Sequence, residues 1–138
     1  PTVIGSVEYG VEILGTPLVV VLGHDSCGAV QAAIDALTTG VMPGGFVRAI
    51  VDRVIPSIIT HKSLESTVTY GLGHRPSADV LLREHVTNTT QTLTAYSATI
   101  ANRIAEGKLA VVGAEYALAD GRARLVAVQG DVGVQPQL

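Results

Sequence analysis

The single cysteine of this 138-residue chain, Cys27, stands three residues after a histidine, in the run Gly23-His24-Asp25-Ser26-Cys27-Gly28. A thiolate is both a nucleophile and a soft metal ligand, and imidazole is a nitrogen donor for borderline metals. His24 and Cys27 could share one zinc ion, which favours sulfur and nitrogen donors in a tetrahedral array. The same pair could serve cysteine-hydrolase chemistry with His24 as base, although that needs a geometry which spacing does not define. The plain alternative is a buried structural cysteine beside a helix-entry histidine. A phosphatase-type cysteine loop is disfavoured, because the sixth residue beyond Cys27 is Ala33 and not an arginine. Gly44-Gly45 precedes a helical pattern but lacks the lysine and the spacing of a phosphate loop. Of the other histidines, His61 and His74 fall in or beside a polar stretch and read as solvated. His85 falls on a helical stripe and reads as a hydrogen-bonded packing residue.

The elements that must position the pair are a strand and a helix. Leu18-Val19-Val20-Val21-Leu22 is short, fully apolar and rich in β-branched residues, which is the pattern of a buried parallel strand. Gly23 ends it, and a helix opens at Cys27 and runs to about Thr38. Ligands of open α/β sheets bind outside the carboxyl ends of strands, which is where His24 and Cys27 fall. At a helix N-terminus the unpaired backbone N–H groups and the helix dipole favour a thiolate.

Around this junction the pattern continues. Ile4, Val7, Val11 and Leu14 recur at helical spacing and predict a helix over 3–14, stopped by Gly15 and Pro17. Phe46 to about Thr60 is helical in pattern, with Pro56 expected to kink or divide it. The stretch 61–76 has no period and reads as a surface loop. A long helix is predicted over 78–105, with Val80, Leu81, His85, Val86, Thr89, Leu93, Tyr96 and Ile100 near one stripe and Gly107 closing it. Tyr96 is expected in the core or an interface. Leu109 to Gly113 reads as a second buried strand, Ala119-Asp120-Gly121 as a turn, and Arg122 to Val128 as the returning strand of a hairpin. The fold class is therefore α/β, with a mainly parallel β-sheet flanked by helices, in a single domain over 1–138.

Composition narrows the function further. Hydrophobic residues make up 47% and charged residues 15%, against a usual charged share of ~25%. Global disorder is excluded, and part of the surface is expected to face another chain. With a net charge of -3 there is no basic excess for a nucleic acid partner. The longest apolar run falls far short of the ~20 residues that span a bilayer, so no membrane partner is expected. No charged-then-apolar leader is visible, and one cysteine makes no intrachain disulfide. A cytoplasmic location is the expectation.

Two separated blocks of the chain carry a family resemblance. Gly5-Ser6-Val7-Glu8-Tyr9-Gly10-Val11 followed by Leu18 to Val30 resembles the central segment of the β-class carbonic anhydrases. Arg103 to Ala114, with Tyr116 and the Asp120-Gly121-Arg122 hairpin, resembles that family's late strands. The resemblance runs from Gly5 to about Leu125. It implies an α/β protein that forms a homodimer or a higher homo-oligomer. It implies that His24 and Cys27 are two of the protein ligands of a zinc ion. It assigns Gly28 to contact with the bound anion through its backbone N–H, and Tyr9 to the carbon dioxide pocket. The implied reaction is the reversible hydration of carbon dioxide to bicarbonate and a proton. In it zinc lowers the pKa of a bound water to about 7, so that hydroxide can attack the carbon.

The sequence also departs from the family. Its first zinc cysteine belongs to a Cys-x-Asp-x-Arg motif upstream of the matched segment, and this chain has no second cysteine. The third protein ligand and the Asp-Arg pair are missing with it, so no catalytic residue is assigned. Two donors fall short of the usual three at a catalytic zinc. The chain starts at Pro1, in mid-family. The expectation is an N-terminally incomplete chain of a larger enzyme, impaired or inactive by itself. The alternatives are a shortened, non-catalytic subunit or interaction protein, and a carbonyl sulfide or carbon disulfide hydrolase on the same fold.

Overall fold

The computed structural model describes residues 1–58 and 77–136. Among these residues the order is α1 (Thr2–Glu12), β1 (Leu18–His24), α2 (Gly28–Thr39), α3 (Gly45–Ile58), α4 (Ala78–Tyr96), α5 (Ala98–Ala105), β2 (Ala110–Ala117) and β3 (Arg122–Gln129). The chain forms two compact units, one of residues 1–23 and 86–138 and the other of residues 24–85. The expected loop over 61–76, with His61 and His74, lies outside the described residues.

In the first unit the strands form one sheet in the order β1-β2-β3. β1 and β2 make its parallel pair, entered by a hydrogen bond from Ala110 N–H to Pro17 O at 3.0 Å. β2 and β3 pair antiparallel, with Val111 opposite Gln129 and Ala117 opposite Arg122. The register shifts between Gly113 and Ala114. A side chain at Gly113 would put its Cβ 2.7 Å from Val86 Cγ1, so glycine is needed where α4 crosses the sheet. Asp120 Oδ1 accepts from Arg122 N–H at 3.1 Å and closes the hairpin turn that the sequence signals.

The core of this unit is Val11, Leu93, Ile100, Leu109 and Val111, joined by Ile4, Val7, Val19, Val21 and Ile104. The helical spacing of Ile4, Val7 and Val11 puts them on one face of α1, as expected. Burial of a side chain such as Ile100 contributes about 1.5–3 kcal/mol. Two polar clasps add direction. Ser97 Oγ donates to Glu8 Oε1 at 2.6 Å, and Arg103 Nε donates to Glu12 Oε2 at 3.1 Å.

Three expectations are corrected here. The single helix over 78–105 is two helices, because Ser97 leaves helical geometry and caps α5, accepting from Ile100 N–H. A serine hydroxyl competes with the backbone ladder inside a helix and is favoured at its start. On the predicted stripe Leu81, Val86, Leu93 and Ile100 are buried, but Val80 is exposed and Tyr96 is 78% exposed, outside this chain's core. Strand β1 is not buried on both faces. Val19 and Val21 pack on the core, whereas Leu18, Val20 and Leu22 are 44%, 52% and 58% exposed. Gly107 does close α5, in a left-handed conformation that directs Lys108 N–H back to Arg103 O.

In the second unit α2 packs on α3. α2 buries Val30, Ala33, Ile34 and Ala36, and α3 buries Val51, Val54 and Ser57. Pro56 lies inside α3, which is not divided there. Its ring removes one backbone donor from the helical ladder, and the helix continues through it to Ile58. Ser57 is fully buried, and its hydroxyl hydrogen-bonds His85 Nδ1 at 2.8 Å. Burial lowers the pKa of His85, since a charged ring is poorly solvated there.

Candidate metal centre

His24 is the last residue of β1 and Cys27 is the N-cap of α2. The apolar strand therefore delivers one donor, and three residues later the helix start delivers the other. His24 is exposed and Cys27 is partly buried. Cys27 has an extended backbone (φ -75°, ψ 116°), and its side chain does not cap the helix. Its carbonyl accepts from Gln31 N–H at 3.0 Å, which starts α2. The first-turn N–H groups of α2 thus lie beside the cysteine with no side-chain oxygen capping them. A Cβ added at Gly28 would meet nothing within 4 Å, so the helix start is open at that residue.

The imidazole is set by a backbone contact. His24 Nδ1 lies 2.8 Å from Asp25 O. A carbonyl oxygen only accepts, so Nδ1 carries the proton, and in the neutral ring Nε2 keeps its lone pair. Metal-ligating histidines are commonly held in this way, with the other ring N–H given to a carbonyl or carboxylate. Ser26, the residue before Cys27, has φ of 52° and is the one non-glycine residue with positive φ among those described. Nothing in the amino-acid string announces that backbone, and the sequence reading missed it.

An imidazole with Nε2 free and an uncapped thiol suit zinc in donor type. In number they supply two positions. Among the described residues no group of three His, Cys, Asp or Glu comes together to hold a metal ion. His85 faces Ser57 and stands apart as a packing histidine, as its place on the stripe implied. Tyr9 is carried by α1 in the first unit and is 58% exposed. No described helix is long and apolar enough to cross a membrane.

Fold and loop together define an α/β protein of the β-carbonic anhydrase kind, with a strand-end His-x-x-Cys pair. The chain belongs to the carbonic anhydrase family, whose sequence profile matches residues 1–123. It is 46% identical over 134 residues to carbonic anhydrase 2 of Mycobacterium tuberculosis, an alignment covering 95% of this chain and 59% of that relative. The chain therefore spans well under two thirds of the length of this curated relative. Two solved structures share the fold. The Coccomyxa β-carbonic anhydrase in complex with acetazolamide matches with a TM-score of 0.71 and 21% identity, over 92% of this chain and 55% of its own. A tetrameric β-carbonic anhydrase of Sordaria macrospora matches with a TM-score of 0.68 and 20% identity, over 91% and 60%.

Proposed function

We propose that this chain carries the His24–Cys27 part of the zinc site of a β-carbonic anhydrase. The complete protein then catalyses the reversible hydration of carbon dioxide to bicarbonate and a proton. The observation that carries this is the His24–Cys27 loop at the carboxyl end of β1 in a chain of that family. Zinc, when bound, supplies a Lewis acid that lowers the pKa of water into the neutral range. His24 offers Nε2, because its Nδ1 proton is committed to the Asp25 carbonyl. Cys27 offers Sγ at the head of α2. Gly28 is assigned to anion contact through its N–H, which the open space at that residue supports. Tyr9 is assigned to the carbon dioxide pocket on the family likeness alone. Residues 1–138 are taken as one domain, since the matched stretch runs through both compact units.

With one cysteine in the sequence and two donors in the loop, the 138-residue chain alone is impaired or inactive. The same donor count favours a second reading, a non-catalytic subunit that keeps the fold. Zinc per chain separates the two. Under the first reading the complete protein takes up zinc, and His24→Ala and Cys27→Ser both lose it. Equal zinc content in all three proteins would overturn the metal assignment. Stopped-flow carbon dioxide hydration by the complete protein tests the reaction, and carbonyl sulfide or carbon disulfide as substrate tests the hydrolase alternative. We further infer a cytoplasmic homodimer or larger homo-oligomer. The exposed Leu18, Val20 and Leu22 support association, as does the tetrameric state of the Sordaria relative.

A further inference from the structure

We propose that Ser26 is a positioning residue: its left-handed backbone points the Asp25 carbonyl at His24 Nδ1, and so fixes the histidine tautomer that leaves Nε2 free for a metal. The inference deepens the metal reading of His24 and rests on it. It starts from two observations in four residues. Ser26 has φ of 52°, and Asp25 O lies 2.8 Å from His24 Nδ1.

The two are linked through one peptide plane. The Asp25–Ser26 peptide is flanked by ψ of residue 25 and φ of residue 26. Rotating that plane by half a turn changes those two angles in opposite senses and leaves the path of the Cα atoms almost unchanged. The same flip relates type I to type II turns, and only the second requires positive φ after the plane. Here it decides where the Asp25 carbonyl points. With Ser26 at positive φ the oxygen faces the imidazole. With Ser26 at negative φ and the same chain path, the oxygen would face away, and Nδ1–H would lose its acceptor.

The consequence reaches the donor. A free histidine side chain favours the tautomer with the proton on Nε2, which blocks the outer nitrogen. The carbonyl reverses that preference at His24. The His24 side chain is exposed, so packing does not replace the contact. Cys27 follows at once with an extended backbone and opens α2. The loop is therefore pre-set for its nitrogen donor by backbone geometry and needs no metal to hold it. Serine at this position is a compromise, because left-handed geometry is tolerated by Gly and Asn and is disfavoured by a Cβ, most of all a branched one.

The test uses the 138-residue chain without metal, at a pH where the ring is neutral. Long-range ¹H–¹⁵N spectra of the imidazole report which nitrogen carries the proton. Wild type, Ser26→Gly and Ser26→Asn are expected to show the Nδ1–H form at His24. Ser26→Ala is expected to show a mixture, and Ser26→Val mainly the Nε2–H form. Circular dichroism checks that each variant is folded, and the Ala variant keeps the series readable if the Val variant is not. Zinc is then titrated and followed at His24 Nε2. The Val variant is expected to bind about tenfold more weakly than the Gly variant. A Val or Ala variant that keeps the Nδ1–H form as fully as wild type overturns the proposal, whatever zinc does. Equal zinc content in the complete protein and in its His24→Ala variant overturns instead the metal reading beneath it.

Discussion

Strands β1 and β2 are neighbours in one sheet and are held in opposite ways. β2 is buried from Ala110 to Ala114, with Val111 in the core cluster and α4 so close to Gly113 that no Cβ fits. β1 alternates, with Val19 and Val21 against the core and Leu18, Val20 and Leu22 in the open. The strand covered on both faces carries stability. The strand covered on one face ends in His24 and leads into the His24–Cys27 loop. There the geometry is set by backbone devices, the Asp25 carbonyl and the left-handed Ser26, and not by packing. A side chain left exposed at a strand end, as His24 is, has little packing to orient it, and local hydrogen bonding is what remains.

Substitutions can break this contrast. The largest effect is expected from Ile100→Ala, which empties a fully buried position beside Val111. A loss of about 2–5 kcal/mol in urea unfolding is anticipated. A loss under about 1 kcal/mol would mean that the cluster is not the centre of stability. Gly113→Ala is next, at about 1–3 kcal/mol, because the new methyl would sit 2.7 Å from Val86 Cγ1 and 3.1 Å from Thr90 Cγ2. Ser97→Ala removes the cap of α5 and the partner of Glu8 together. About 0.5–2 kcal/mol should be lost, with Ser97→Thr recovering most of it in the same melts.

The smaller effects lie elsewhere. The pKa of His85 is lowered in the folded state by burial, so the unfolded chain binds the proton more tightly. The stability this contributes is fully present above the unfolded value of about 6.5. It is lost as pH falls below that value toward the folded one. Urea midpoints measured from pH 8 to pH 5 should decline through this window in the wild type and decline less in His85→Gln. Smallest of all should be Leu22→Thr on the open face of β1, within about 0.5 kcal/mol of wild type. The same variant should weaken self-association in sedimentation velocity. A large loss of monomer stability from Leu22→Thr would show that β1 is packed on both faces after all, and would erase the contrast with β2.

Much of this was readable from the residue order. The apolar spacing of Ile4, Val7 and Val11, the run from Leu18 to Leu22, and the Asp120-Gly121 turn each predict the element that forms. The His24–Cys27 pair was readable too, because its residue types are rare in this chain and fall where a strand pattern meets a helix pattern. The helix over 78–105 was misread at Ser97, since an apolar stripe continues across the break. Only the carboxylate of Glu8, eighty-nine residues away in the chain, shows why a serine there is held as a cap.

By itself the sequence determined most of the elements, their α/β order and the strand–helix junction at which His24 and Cys27 fall, because periodicity, turn residues and motif spacing are properties of neighbours along the chain. Tertiary structure alone decided which face of β1 is covered and that His85 turns to Ser57. Those outcomes depend on which surfaces meet in space, and that is not written in the identity of any single residue.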